Sequence, residues 1–188
     1  MFPLPPPGTR IRNPLQGETF IFTHVDETAD EVRFDVFLER GGMTTGSGRQ
    51  HIHPKSDEEF IVREGRLKVM VAGAWHELGA GDHIIIPRGT PHLFRNGHDG
   101  ETLFTTRFSP PQAFLRFFVN MAQNTANNAN WYSAKGEPHL LLLAQRLHTY
   151  KDHAYGHGIP VWFQKALFAA LSPVAWLKGY RLAVRPRE

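Results

Sequence analysis

Two histidines separated by one residue, His51 and His53, are the first residues in this sequence whose types and spacing suggest chemistry. In a β-strand, residues two apart point to the same face, so both imidazoles can reach one point. Glu58 follows after a turn and can arrive from the adjacent strand. Two imidazoles and one carboxylate are the ligand set of non-haem iron and related divalent sites. The spacing therefore predicts a metal site with nitrogen and oxygen donors.

A second segment, residues 81–96, supplies a fourth candidate ligand. His92 comes directly after the turn sequence Pro87-Arg88-Gly89-Thr90-Pro91. Because a single His-x-His pair is also common on solvated strand faces, the prediction of a metal site depends on both segments together.

The spacings in these two segments resemble the paired motifs of the cupin superfamily. The first motif, His-x-His-x4-Glu-x6-Gly, is met by His51, His53, Glu58 and Gly65. The second, Gly-x5-Pro-x-Gly-x2-His-x3-Asn, is met by Gly81, Pro87, Gly89, His92 and Asn96. One position departs from the pattern: Thr45 stands where the first motif has a glycine, and Gly46 follows one place late.

The resemblance covers about residues 18–108 and implies a fold, a ligand set and a cofactor. The fold is a double-stranded β-helix, or jelly roll, with the metal inside the barrel. The implied ligands are His51, His53, Glu58 and His92. Such a set leaves one or two positions of a five- or six-coordinate ion open, which favours Fe or Mn, with Zn, Ni and Co as alternatives.

Residues that share a strand face with the ligands are candidates for a substrate pocket. Phe60 and Val62 share the face of Glu58 by alternation, and Phe94 shares the face of His92. The expected pocket is therefore partly aromatic. Met70, Phe34 and Arg107 are weaker candidates, and no motif identifies a general base.

A hydrophobic period of two runs from Glu18 to Phe108 and predicts the strands that must position these residues. In residues 32–39, for example, Val32, Phe34, Val36 and Leu38 form one apolar face. Similar runs occur at 19–25, 59–63, 67–71, 75–78, 83–86, 92–95 and 102–108. The predicted fold is mainly β, with a barrel at residues 18–109, an extended Pro-rich arm at 1–17 and a helical extension at 110–188.

In the extension the apolar period changes to 3.6 residues. Helices are predicted at about 111–123, 138–150 and 160–171, and Ser172-Pro173 is interpreted as the start of a short fourth helix that ends at Gly179. The Asn-rich residues 124–130 are expected to form a loop. Phe114, Phe117, Phe118 and Met121 should form one apolar stripe against the barrel or a second copy of it.

Composition limits the remaining classes of function. The 188 residues include no cysteine, which excludes disulfides, thiolate nucleophiles and iron–sulfur clusters. Residues 1–109 carry a net charge of −3 and residues 110–188 carry +6, so the basic excess belongs to the extension. Because these basic residues are scattered and no helix-turn-helix is evident, no nucleic-acid partner is expected. The amino terminus has no secretory signal pattern, so a cytoplasmic location is expected.

Three interpretations of the function remain open. The first is a metal-dependent enzyme acting on a small oxygenated molecule, as a dioxygenase or an isomerase. The second is a non-catalytic module that binds or senses a small ligand, and the third is an interaction protein that acts through its helical extension. The protein is expected to form a homodimer. The alternative is contact with a membrane surface through Arg181, Arg185 and Arg187.

Overall fold

The computed structural model describes residues 4–43, 49–184 and 186. Thr45 and Gly46, where the first motif departs from its pattern, lie outside the described residues, as do Arg185 and Arg187 of the extension. The strands are β1 Thr9–Asn13, β2 Glu18–Phe22, β3 Val32–Leu38, β4 His51–Ile52, β5 Asp57–Glu64, β6 Arg66–Val71, β7 Ala74–Gly79, β8 His83–Ile86, β9 His92–Asn96, β10 Thr102–Ser109 and β11 Tyr155–Gly156. The α-helices are α1 Phe114–Asn127, α2 Leu140–Thr149 and α3 Val161–Leu177.

The strands form two antiparallel sheets that enclose one core. The first sheet has the order β1-β2-β3-β10-β5-β8, and the second has the order β11-β4-β9-β6-β7. Alternation explains the buried face of the first sheet, because Val32, Phe34, Val36 and Leu38 of β3 are all buried. The fold is thus mainly β, a jelly-roll barrel followed by helices, as predicted.

Gly65 makes the tight turn between β5 and β6. Its φ of +79° lies in the left-handed region, and a Cβ there would come within 2.3 Å of the Glu101 carbonyl oxygen. Only glycine fits this position without displacing the backbone. The turn takes the chain from β5 in the first sheet to β6 in the second sheet.

Two strands lie in parts of the chain for which the sequence predicts no strand. β1 lies within the predicted Pro-rich arm and pairs with β2 along its whole length. β11 lies between the predicted helices of the extension and pairs with β4, through Tyr155 with Ile52 and Gly156 with His51. The extension therefore contributes a strand to the second sheet.

The helix α1 packs its predicted apolar stripe against the barrel. Phe114 is fully buried and its ring stacks on Phe108 at 4.0 Å, while Phe118 lies 4.7 Å from Phe34. Phe117 is also buried, and Met121 packs against the same core. The stripe thus closes one side of the barrel.

The predicted loop at residues 124–130 was wrong in part, because α1 continues to Asn127 and a 3-10 turn spans Ala129–Trp131. Asn124 is buried and its side-chain amide donates to Asn120 Oδ1 at 3.4 Å. The Thr125 hydroxyl donates to the Ala122 carbonyl at 2.9 Å. Tertiary burial of these polar side chains overrides their weak helix propensity.

The predicted break at Ser172-Pro173 was also wrong, because α3 is one helix with Pro173 inside it. Ser172 does not cap a helix; its hydroxyl donates to Gln145 Oε1 of α2 at 2.8 Å. Packing of α3 on α2 keeps the helix continuous despite the backbone donor that Pro173 lacks. None of the helices in the described ranges has the length and apolar character needed to cross a bilayer.

Candidate metal centre

The four predicted ligands lie together inside the barrel, where the two sheets face each other. His51 on β4 is paired with His92 on β9, and their ring centroids are 4.4 Å apart. His53 follows β4, and Glu58 reaches across from β5 in the opposite sheet. One donor atom from each of the four residues lies within 4.8 Å of the other three. A single ion can therefore contact all four side chains.

Burial differs among the four ligands and shows where the site opens. His53, Glu58 and His92 are each at least 95% buried, whereas His51 is half-buried. The rings of Phe108 and Phe114 each meet the His53 ring edge to face at 5.2 Å. The site is thus closed by aromatic side chains around His53, and its solvent-facing side is at His51.

Each of the three imidazoles is oriented by a backbone carbonyl. The Nδ1 atoms of His51, His53 and His92 lie 3.3, 2.5 and 2.8 Å from the carbonyl oxygens of Arg49, His153 and Thr90. Because a carbonyl only accepts, each Nδ1 carries the proton and donates it, which leaves the Nε2 lone pair of the neutral ring free. This is the tautomer that binds a metal through Nε2.

The free Nε2 atoms lie close to a carboxylate oxygen in a dry environment. Glu58 Oε2 is 2.8 Å from His92 Nε2 and 3.4 Å from His53 Nε2. None of these three buried atoms has a hydrogen-bond partner among the residues described. Lone pairs on nitrogen and oxygen at such distances repel each other unless a cation or a proton lies between them. The donor set therefore fits a bound cation.

Electrostatics keep Glu58 ionised. Burial alone raises its pKa, but the contacts with His53 and His92 outweigh burial and hold the pKa below its ordinary value. Its other oxygen, Oε1, accepts a hydrogen bond from the Thr106 hydroxyl at 3.0 Å. Glu58 thus offers Oε2 to the centre while Thr106 holds Oε1.

The pKa values of His51 and His92, which are paired across β4 and β9, are shifted in opposite directions. Burial, together with the nearby His53 and His92, lowers the pKa of His51 to about 3. Burial also lowers the pKa of His92, but its close contact with the negative charge of Glu58 outweighs burial and raises the pKa above its ordinary value. His51 is therefore neutral at pH 7, and His92 is the one of these two rings that binds a proton more readily.

The predicted pocket residues lie on the same inner faces as the ligands. Phe60 and Val62 are almost completely buried, and Phe94 is half-buried. The rings of Phe60 and Phe94 are 5.3 Å apart, and Phe104 meets both in edge-to-face contacts. These side chains form an aromatic layer of the core next to the ligands.

The three weaker pocket candidates lie elsewhere. Phe34 is buried in the core against Phe118. Met70 is paired with Leu93, one position out of step with His92, so it faces the opposite side of the sheet. Arg107 pairs with Glu31 at 3.2 Å and with Glu59.

Two partners of the ligands were not predicted from the sequence. The Thr106 hydroxyl could have been found from alternation, since Thr106 lies directly opposite Phe60 on β10 and shares the inner face. The carbonyl of His153 has no signal of this kind, because any residue type carries the same backbone oxygen. It lies 100 residues from His53 along the chain.

Comparison with known proteins finds a family model and curated relatives that match part of the barrel. Residues 37–106 match the family model described as the cupin domain. Two curated relatives match the chain: the polyketide synthase CurC of Streptomyces cyaneus, 39% identical over 61 residues, and the quercetin 2,3-dioxygenase of Bacillus subtilis, 34% identical over 62 residues. The matches cover 32% and 33% of this chain but only 40% and 18% of those proteins.

Solved structures with a similar fold cover a larger part of the chain. KdgF from Halomonas sp. is 24% identical, with 53% of this chain and 84% of that chain covered and a TM-score of 0.43. A sugar phosphate isomerase of the cupin superfamily from Silicibacter pomeroyi is 22% identical, with 60% and 70% covered and a TM-score of 0.44.

Proposed function

Because residues 37–106 match the cupin domain model, we propose that this protein binds one divalent metal ion through His51, His53, Glu58 and His92 and acts on a small oxygenated molecule. The observation that carries the proposal is the set of buried lone pairs, on His53 Nε2, His92 Nε2 and Glu58 Oε2, that converge without hydrogen-bond partners among the described residues. Three nitrogen donors and one oxygen donor suit Fe or Mn best, with Zn, Ni and Co as alternatives.

The reaction class we propose is that of a dioxygenase or an isomerase. The bound ion would supply a Lewis acid that polarises a coordinated oxygen. The chain's own residues orient and shield the site: Thr106 holds Glu58, and the rings of Phe108 and Phe114 exclude water around His53. The small molecule would enter beside half-buried His51 and lie against Phe60, Val62 and Phe94. The name of the Bacillus subtilis relative supports the dioxygenase.

A second candidate is a module that binds or senses a small ligand without reaction. The side chains proposed for the pocket favour it, because Phe60, Val62 and Phe94 carry no group that transfers a proton. Oxygen consumption and isomer formation with a panel of small hydroxylated and carbonyl compounds separate the two candidates. Turnover supports the enzyme, whereas saturable binding without turnover supports the module.

The metal site itself is tested by elemental analysis of protein purified without added metal. We expect one divalent ion per chain in the unaltered protein and a clear loss of metal when His51→Ala and His92→Ala are combined. His76→Ala, which changes an exposed histidine on β7, is the matched control. If the double variant keeps its full metal content, the proposed ligand set is wrong.

We also propose that the protein is a cytoplasmic homodimer in which α3 contacts a second copy. The helix α3 buries Gln164, Phe168, Ser172 and Ala175, while many of its other side chains are exposed. The large exposed side chains on α3 are Trp162, Phe163, Val174, Trp176 and Leu177. An exposed face of this kind is typical of an interface. The charges of +6 on the extension and −3 on residues 1–109 favour contact between the extension of one copy and the barrel of the other.

Sedimentation of the full chain tests the dimer. We expect a dimer for the unaltered protein and a monomer when Trp162→Glu and Leu177→Glu are combined, since both side chains are more than 70% exposed. Ile85→Glu, an exposed apolar residue on β8, is the control and should remain dimeric. A monomer that co-sediments with anionic vesicles through α3 would replace the dimer with membrane-surface contact. Cell fractionation tests the cytoplasmic location.

A further inference from the structure

One of the proposed metal ligands is oriented by a distant part of the chain. His51 and His92 donate from Nδ1 to the carbonyls of Arg49 and Thr90, each two residues away. His53 donates instead to the carbonyl of His153, in the segment between α2 and α3. From this contact and those described below we infer that the helical extension is part of the metal site: residues 150–156, fixed by α3, are positioning residues that hold His53 in its metal-binding tautomer.

The His153 side chain anchors its own backbone in the core. It is buried, and its ring packs between Phe114 at 4.8 Å and Tyr150 at 5.5 Å. Its Nδ1 donates to the Lys151 carbonyl at 3.0 Å, and its Nε2 accepts from the Ala113 backbone N–H at 3.1 Å. Both ring nitrogens are therefore used in holding the segment, which directs the carbonyl of His153 toward His53.

A glutamine on α3 fixes the other end of this segment. Gln164 is buried and its side-chain amide brackets Gly156: Oε1 accepts from the Gly156 N–H at 2.9 Å, and Nε2 donates to the Gly156 carbonyl at 2.9 Å. Nε2 also donates to the Ile159 carbonyl at 2.8 Å. Because Gly156 is paired with His51 in the second sheet, Gln164 supports the strand that carries His51 and leads into His53.

An ion-pair network connects the same segment to α3 and to the residues that follow His53. The Asp152 carboxylate lies 3.0 Å from Lys55 Nζ and 2.6 Å from Lys165 Nζ. Lys55 is two residues beyond His53, and Lys165 is next to Gln164. Hydrogen bonds, strand pairing and ion pairs thus all join α3 to the part of the barrel that holds His53.

A positioning role and a merely structural role lead to different results. If the extension only stabilised the barrel, weakening its contacts would lower the free energy of unfolding and leave the site of the folded protein unchanged. If it positions His53, the tautomer of His53 and the affinity for metal change in protein that is still folded.

The discriminating variant is Gln164→Leu, which keeps the size of the side chain and removes its three hydrogen bonds. The matched control is Ser172→Ala, also buried on α3, which loses its bond to Gln145 of α2 and lies eight residues along the helix from Gln164. We expect Gln164→Leu to weaken Co²⁺ binding, measured against a chromogenic chelator, by about 10- to 100-fold, while Ser172→Ala leaves it unchanged. Circular dichroism checks that both variants are folded.

A second measurement keeps the inference testable if Gln164→Leu does not fold. A lactic acid residue in place of Ala154 makes the His153 carbonyl an ester, which is a weaker acceptor, and leaves every side chain contact of His153 in place. Imidazole ¹⁵N NMR of the metal-free protein should then show His53 losing its preference for the Nδ1-protonated form, while His51 and His92 keep theirs. An unchanged His53 signal together with unchanged Co²⁺ affinity would overturn the inference.

The inference rests on the proposed metal function, yet the two fail in different ways. If the unaltered protein binds no metal, the proposed function is wrong, while the NMR measurement still reports whether His153 sets the tautomer of His53. If the unaltered protein binds metal but neither change alters His53 or the affinity, only the inference is wrong.

Discussion

In each imidazole, the hydrogen bond made by Nδ1, which faces away from the centre, determines whether Nε2, which faces the centre, has a free lone pair. At this centre the three Nδ1 atoms are all occupied by carbonyl oxygens, so the three Nε2 atoms are left as donors. The carboxylate follows the same rule, since Thr106 occupies one oxygen of Glu58 and leaves the other free. The proposed ligands are thus oriented by partners that would not touch the ion.

Thr106→Val tests whether the hydroxyl of Thr106 orients Glu58 for metal binding. The change keeps the shape of the side chain and removes the donor to Glu58 Oε1, so we expect metal affinity to fall by about tenfold. Thr105→Val is the control, because the Thr105 hydroxyl donates at 2.6 Å to Asp35, away from the centre. Equal affinity of the two variants, measured by metal competition, would show that Thr106 plays no part in holding Glu58.

A second buried carboxylate, Glu18, gives the fold a dependence on pH. Burial raises its pKa from 4.5 to about 7, although the Asn13 amide donates to it at 3.3 Å. Between these two pH values the folded protein therefore keeps a proton on Glu18 that the unfolded chain has lost. The free energy of unfolding consequently decreases as the pH rises through 7. Glu18→Gln should raise the free energy of unfolding by up to about 3 kcal/mol at pH 8 and by little at pH 4.5.

Urea unfolding at the two pH values measures this difference. The exposed Glu101→Gln provides the control and should change stability by less than about 0.5 kcal/mol at either pH. A Glu18→Gln effect that is the same at pH 4.5 and pH 8 would mean that Glu18 is not titrating in this range.

Among the elements, α1 links the packing of the barrel to the centre. Phe114 stacks on Phe108, and both rings meet the edge of His53. Phe114→Ala should cost about 3–5 kcal/mol in unfolding free energy and also weaken metal binding. Ile85→Ala, at a position 54% exposed on β8, should do neither. If Phe114→Ala loses stability but keeps its metal affinity, Phe114 contributes to packing and not to the metal site.

The elements also show which features are predictable from sequence. The strands from β2 to β10 that carry long alternating patterns could be predicted, because each buries one face. β4 and β11 have only two residues each, too few to display a period. They form because they pair with each other, and β4 also pairs with β9. The continuity of α3 through Pro173 depends on contacts with α2 that no local pattern records.

The same distinction applies to the site. The sequence could predict that four side chains come together: those of His51, His53, Glu58 and His92. Each motif is local, and its combination of residue types is typical of a metal site. Their partners divide by kind: Thr106 has a side chain that alternation could locate, whereas the contribution of His153 is a backbone atom. Sequence patterns describe side chains, so a carbonyl supplied from 100 residues away leaves no trace in them.

For the whole molecule, the centre joins both sheets and the extension, so bound metal should stabilise the entire fold. An ion that binds only the folded state raises the free energy of unfolding by about 2.7 kcal/mol at 100 times its dissociation constant. Removal of metal by a chelator should lower the unfolding temperature of the unaltered protein, as followed by calorimetry. His92→Gln should unfold at the same temperature with and without chelator; a shift equal to that of the unaltered protein would contradict ligation by His92.

The hydrogen bond between His53 and His153 also gives the centre an order of assembly. A ribosome adds about 5–20 residues per second, so residue 153 is made roughly 5–20 s after residue 53. By the end of that interval all four proposed ligands have been synthesised, but the carbonyl that orients the ring of His53 has not. We therefore expect the nascent barrel to bind ions weakly until the extension has been synthesised and has docked.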